Sequence, residues 1–167
     1  MNRRNNLNLI KLTKTMEGLR IEKFNPEELD EVLEVERDCF PKKPYDAATF
    51  LLYSSLEPDG FFVAKLFDEI VGYIIASSKA SEIVSIAVKQ KYRKMGIGRA
   101  LVKRAVDYLI AMNCREIKLH VRESNVGAIA FYEKCGFRKV EKVRCYYGDE
   151  DGYLMKLEKF FKEDRET

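Results

Sequence analysis

A chain of 167 residues is long enough for one domain with a substantial core, and 46% hydrophobic with 34% charged residues excludes a disordered or fibrous protein. The net charge of +3, from 30 basic and 27 acidic residues, is too small to argue for nucleic-acid binding by itself. No apolar run approaches the ~20 residues that cross a bilayer.

The first residues, MNRRNNLNLIKLTKT, lack the apolar core and cleavage site of a signal peptide, so a cytoplasmic location is expected. Cys39, Cys114, Cys135 and Cys145 are scattered without a CxxC pair, and His120 is the only histidine. Buried free thiols and no metal site are expected.

In chain order, residues 1–17 are expected to be a polar extension with the character of a mobile terminus. Residues 18–158 are expected to make the single domain, and 159–167 a charged tail. Alternation of Leu19, Ile21 and Phe24 with charged residues predicts a strand over Gly18–Phe24. Asn25-Pro26 then caps a helix with Leu29, Val32, Leu33 and Val35 on its apolar stripe, ending near Cys39. The prolines of FPKKPYD break it, and Asp46 caps a short helix, Ala47–Leu56, with Phe50, Leu51 and Leu52 inward. Phe61–Phe67 and Ile70–Ser77 predict a hairpin across Asp68-Glu69. A strand over Ile83–Val88, a Gly-containing turn and a long helix come next, then a strand over Glu116–Val121. The helix Val126–Lys134 stops at Gly136, and Phe137–Tyr146 with Tyr153–Leu157 closes the fold as a hairpin. The order βααβββαβαββ predicts an α/β (mixed α+β) fold, a mixed sheet of about seven strands flanked by about four helices.

Charge is unevenly spread. Residues 26–38 carry seven acids and one base, whereas 89–104 carry seven bases and no acid. The second block contains Arg93-Lys94-Met95-Gly96-Ile97-Gly98 followed by Arg99. Two glycines allow close backbone approach, the helix start offers N–H groups, and the cations add charge, a combination that cradles a pyrophosphate. The spacing is neither the GxxxxGK[ST] of a P-loop nor GxGxxG, since position 101 is Leu.

RKMGIGRALV after IVSIAV resembles the acyl-CoA-binding motif of the GNAT superfamily of acetyltransferases. LHVRESNVGAIAFYEKCGFRKV and RCYYGDEDGYLMKLEK further resemble the protein N-terminal acetyltransferases, of the ribosomal-protein alanine and Nat catalytic-subunit kinds. The resemblance covers roughly Glu17 to Leu157 and implies a GNAT-like fold that transfers acetyl from acetyl-CoA to protein α-amino groups. It implies that Ile86, Ala87 and Val88 line the pantetheine arm, that Lys94, Met95, Gly96, Ile97, Gly98 and Arg99 hold the pyrophosphate beside Arg93, and that Asn125 and Tyr132 lie toward the thiol. Tyr132 would be the general acid. His120 and Glu82 remain alternative general bases, though Glu82 departs from the Tyr or His usual at its position. Phe40, Pro41 and Tyr45 would wall the acceptor site, with Tyr146 and Tyr147 clamping the peptide backbone. Expected partners are protein N-termini, with the ribosome or ribosomal proteins as sources, and neither membrane nor nucleic acid. A GNAT enzyme for small amines and a non-catalytic acyl-CoA-binding module remain alternatives.

Overall fold

The computed structural model describes residues 17–157. Seven strands, β1 (Leu19–Lys23), β2 (Phe61–Leu66), β3 (Glu69–Ser77), β4 (Glu82–Val88), β5 (Lys118–Arg122), β6 (Phe137–Val143) and β7 (Gly152–Leu157), form one mixed sheet. Their order is β1-β2-β3-β4-β5-β7-β6. Four helices accompany them: α1 (Leu29–Cys39), α2 (Ala47–Leu56), α3 (Ile97–Ala111) and α4 (Val126–Lys134). The expected mixed α/β architecture and element order are therefore present. The expected 1–17 extension, except Glu17, and the tail beyond Leu157 lie outside the described residues.

Two compact units can be distinguished. Of the described residues, one comprises 17–75 with Ser85–Ala105; the other comprises Ala76–Val84 with 106–157. In the first, β1 and β2 pair antiparallel, as do β2 and β3. Phe50, Phe61, Phe62, Tyr73, Ile74, Ile97 and Leu101 are fully buried there. Phe24 stacks on Phe61 at 4.1 Å, and Phe50 meets Tyr73 edge-on at 5.2 Å. Gly72 on β3 is required by close approach: a Cβ there would lie 2.8 Å from the Ala87 carbonyl oxygen.

Asn25 does cap, but its partner is a 3-10 turn, Pro26–Glu28, with Glu28 returning a bond to the Asn25 N–H; α1 begins only at Leu29. Asp46 caps α2 through the Thr49 N–H at 2.8 Å. Of the three residues expected inward on α2, only Phe50 is; Leu51 and Leu52 are 41% and 57% exposed. Successive helical residues diverge by 100°, so three in a row cannot share one face, and the covered strip runs instead through Phe50, Tyr53, Ser54 and Glu57.

In the second unit β5 pairs antiparallel with β7, and β7 with β6. The parallel pairing of β4 with β5 covers only Glu82–Lys118 and Ile83–Leu119. Leu109, Ile117, Leu119 and Met155 are fully buried there, and the end of α4 is set by Gly136 at φ 100°. All four cysteines are free, but only Cys114 is buried; Cys39 and Cys135 are partly covered and Cys145 is exposed. Cys145 lies in the β6–β7 turn rather than in the strand expected to reach Tyr146.

Candidate active site

In the first unit, β4 runs into a 3-10 turn, Gln90–Tyr92, and then into the glycine loop. Lys94 and Gly96 are left-handed (φ 61° and 85°), geometry that turns successive N–H groups toward one side. The bond from the Ala100 N–H to the Gly96 oxygen, 3.1 Å, opens α3. The first-turn amides of a helix have no intrahelical acceptor, so the loop ends on a set of N–H groups suited to an anion. Ile97 is buried and anchors the loop, while Arg93, Lys94, Gly96 and Arg99 are exposed and Met95 and Gly98 are partly covered.

The seven bases of this stretch do not act alike. Lys89 and Lys91 pair with Glu69 at 3.1 and 3.7 Å, and the Tyr92 hydroxyl donates to the same carboxylate at 2.7 Å. The Tyr92 bond, reinforced by Lys89, holds Glu69 below the usual carboxylate range. Arg104 lies over the Phe62 ring at 4.4 Å. A good part of the positive block is thus structural. Arg93 Nε donates to the Val88 oxygen at 3.1 Å, and the Cys39 thiol donates to the same oxygen at 3.2 Å, so that carbonyl is already engaged within the chain. Burial pushes the Cys39 thiol pKa up.

Phe40 and Pro41 are exposed in the loop between α1 and α2, and Tyr45 is partly covered, its ring edge-on to Phe50 at 5.8 Å. Behind this loop lies a buried residue that was not among the expected site residues. Glu36, 2% exposed, accepts from the Tyr45 N–H at 2.8 Å and from the Tyr73 hydroxyl at 2.5 Å. Its signal was available: Glu36 lies one turn after Val32, on the apolar stripe where an acid is out of place.

The second unit holds the proton-handling candidates. Parallel register sets Glu82 and Ile83 of β4 beside Lys118 and Leu119 of β5, and His120 Nδ1 lies 2.6 Å from Glu82 Oε1. The two side chains are 17% and 19% exposed, sheltered yet open to water. What the sequence left as alternatives is one hydrogen-bonded pair. Tyr146 stacks on the His120 ring at 4.1 Å and 7°, and meets Tyr147 edge-on at 4.9 Å. The tyrosines are held by a turn whose tie to β5 has no local signal in the sequence. Arg122 lies over the Tyr147 ring at 4.4 Å and bonds Asp149 and Glu150, each at 2.9 Å. Glu150 also accepts from the Ser124 hydroxyl at 3.0 Å.

Tyr132 on α4 is buried, and desolvation, with Tyr147 as the next cause, raises its hydroxyl far above the ordinary tyrosine value. Asn125 is the cap of α4, its side-chain oxygen accepting from Ala128 N–H at 3.1 Å. Among the described residues no group of three or more His, Cys, Asp or Glu could hold a metal, and no helix is long and apolar enough to cross a membrane.

Burial also raises Tyr73, with the Glu36 carboxylate adding to it. An unfolded chain releases these phenolic protons near pH ~10, whereas the folded chain retains Tyr73 and Tyr132 protons to higher pH. Their contribution to stability is therefore whole below pH ~10 and is lost as pH rises beyond it. Tyrosinate absorbance should show these two of the nine tyrosines titrating only as the fold is lost, and a denaturation midpoint that falls above pH ~10. Full titration at pH ~10 of a still-folded protein would contradict the burial.

A model of the acetyltransferase (GNAT) family matches residues 29–137. The chain belongs to that family. An N-acetyltransferase of Methanocaldococcus jannaschii of uncharacterized function is 42% identical over 139 residues, 81% of this chain and 88% of that one. An N-alpha-acetyltransferase of Sulfurisphaera tokodaii is 34% identical over 152 residues, 81% of this chain and 90% of that one. The crystal structure of Chaetomium thermophilum Naa20 in complex with a bisubstrate analogue aligns with a TM-score of 0.74 at 27% identity, covering 88% of this chain and 90% of that one. This GNAT protein is an N-acetyltransferase, with the family's mixed sheet and the glycine loop at the start of its third helix.

Proposed function

We propose that this GNAT enzyme acetylates the N-terminal α-amino group of proteins, using acetyl-CoA as donor. The His120–Glu82 pair under the Tyr146 ring carries the proposal, because it joins a base to an aromatic wall suited to an extended peptide. Similarity to a named N-alpha-acetyltransferase supports the acceptor class. Acetyl-CoA supplies an activated thioester. Residues 93–99 fit its pyrophosphate, since left-handed Lys94 and Gly96 shape a concave turn and Arg93, Lys94 and Arg99 are basic. Ile86, Ala87 and Val88 fit the pantetheine arm on a strand whose pairing with β5 is limited to two residue pairs.

The attacking amine must be neutral. A free α-amino group has a pKa of about 7.7–8.0, so near neutral pH a modest base suffices. Glu82 accepting the Nδ1–H of His120 holds the tautomer in which Nε2 is the acceptor, directly or through one water. A backbone N–H near Val88 stabilises the oxyanion. Tyr132 keeps its proton and donates a hydrogen bond to the departing thiolate. Its raised pKa makes complete transfer to a thiolate, whose thiol pKa is about 8.5, uphill, so donation without full transfer refines the general-acid role. Asn125 lies at the start of the helix that carries Tyr132 and steadies it as cap. Phe40, Pro41 and Tyr45 form one acceptor wall, and Tyr146 and Tyr147 bind peptide main-chain groups. Ribosomal proteins and other nascent chains are the natural source of such termini.

The test is direct competition. The purified enzyme, acetyl-CoA, a library of N-terminal peptides and a panel of polyamines and amino sugars are combined, and turnover is followed by thiol release. Peptides beginning with Met, Ala or Ser should be acetylated fastest, and only at the α-amine. Faster turnover of the small amines would overturn the acceptor class, and acetyl-CoA binding without transfer would leave a binding module.

A further inference from the structure

The C-terminal turn of α1 carries a carboxylate in an unfavourable place. Glu36 is 2% exposed, and the two groups that donate to it, a backbone N–H and a tyrosine hydroxyl, are both neutral. It also sits near the negative end of a helix dipole, where an acid is disfavoured. Burying such a charge is costly unless its oxygens are well bonded. Both are: Oε1 accepts from the Tyr45 N–H at 2.8 Å and Oε2 from the Tyr73 hydroxyl at 2.5 Å. Tyr73 in turn shares a hydrogen bond of 2.9 Å with Ser85 Oγ on β4. Because the Tyr73 proton is given to the carboxylate, Ser85 is the donor in that bond, and the chain runs Ser85 to Tyr73 to Glu36.

Only a carboxylate meets both demands. Glutamine has one acceptor oxygen and one donor nitrogen, so it would keep one bond and set a donor against the other. The same turn makes two further ties to the end of β4. Asp38 accepts from the Gln90 N–H at 2.7 Å, and Cys39 donates to the Val88 oxygen at 3.2 Å. The last residue of the Phe40–Tyr45 loop is thereby indexed to β4 through one buried side chain.

We propose that Glu36 is a positioning residue for the acceptor, which rests on the acceptor-wall role of the Phe40–Tyr45 loop. Its carboxylate fixes the Tyr45 backbone, and with it the wall formed by Phe40, Pro41 and Tyr45, relative to β4. Glu36 touches neither substrate and takes no proton. It sets how tightly the first residues of a peptide are held and leaves acetyl transfer unchanged.

The experiment uses Glu36→Gln and, as a second arm that keeps the core volume, Tyr73→Phe. Steady-state rates with acetyl-CoA and the best N-terminal peptide separate the parameters. Glu36→Gln should raise the peptide KM about tenfold, equivalent to one charge-assisted hydrogen bond, while kcat and the acetyl-CoA KM stay within about twofold. Tyr73→Phe leaves the Tyr45 bond in place and should raise the peptide KM by a smaller factor, about threefold. Amide exchange of residues 40–46, measured without substrates, should accelerate in Glu36→Gln while β2 and β3 remain protected. An unchanged peptide KM in either folded variant overturns the proposal. So does a parallel fall in every kinetic parameter together with the folded fraction, the mark of a merely structural role. Failure of the acceptor assignment is distinct: the wild-type enzyme would then acetylate no peptide, and this proposal would fall with it.

Discussion

His120→Ala should lower kcat by about 10²–10³-fold with the peptide KM nearly unchanged, the range in which a positioned base contributes. The side chain lies 2.6 Å from Glu82 at Nδ1 and is covered on one face by Tyr146, so its ring plane is held. Glu82→Gln should cost less, about 10–10²-fold, because the imidazole remains while control of its tautomer weakens. The double variant should be little worse than His120→Ala, since two groups acting as one unit are not additive. Melting temperature must be followed alongside the rates. A His120→Ala enzyme that is folded and retains kcat within threefold would remove the pair from the chemistry. Multiplicative losses would mean that the two side chains act independently, each as a base of its own.

The second large effect is expected at Tyr132→Phe: kcat reduced about 10²-fold, with acetyl-CoA affinity within about twofold of wild type. The substitution removes one hydroxyl and keeps the ring that packs edge-on with Phe137 at 6.1 Å, so the α4 core should survive. Desolvation holds the hydroxyl protonated well beyond neutral pH, which shapes the pH profile. No descending limb attributable to this tyrosine should appear in wild-type kcat below pH ~10, because the donor is intact throughout. Isothermal titration with acetyl-CoA and rapid-mix rates over pH 6–9.5 supply both readouts. Unchanged kcat in the folded variant would end the donor role, and a large loss of affinity would mean that the ring serves cofactor binding.

Much of this was legible in one dimension because the signals are local. Strand alternation, Asp46 as a cap and the left-handed stop at Gly136 each depend on a few neighbouring residues, and each is present. The glycine loop is local too, since backbone freedom and helix-end amides are written into Gly96 and the helix start beside it. The errors share a cause. Leu51 and Leu52 look buried because they are apolar, yet only the covered arc of α2 decides which residues turn inward. The seven bases point to an anionic ligand in line, and the fold adds that Glu69 and Phe62, distant in sequence, engage three of them, Lys89, Lys91 and Arg104.

The order of elements, the loop chemistry at Gly96 and the kinds of side chain available for proton transfer all come from the residues read in line. Which of those side chains meet is decided in three dimensions. Glu82 and His120 lie 38 positions apart, and only the parallel register of β4 with β5 makes them one pair. Tyr146 stacks on His120 from a turn that Arg122 ties to β5 through the Tyr147 ring and the acids Asp149 and Glu150. Glu36 stands out in line only as an acid on an apolar stripe, and the fold alone shows that it holds Tyr45 and Tyr73. Hydrogen bonds and ring contacts act over a few ångströms, and the fold alone brings residues so far apart in sequence within that range.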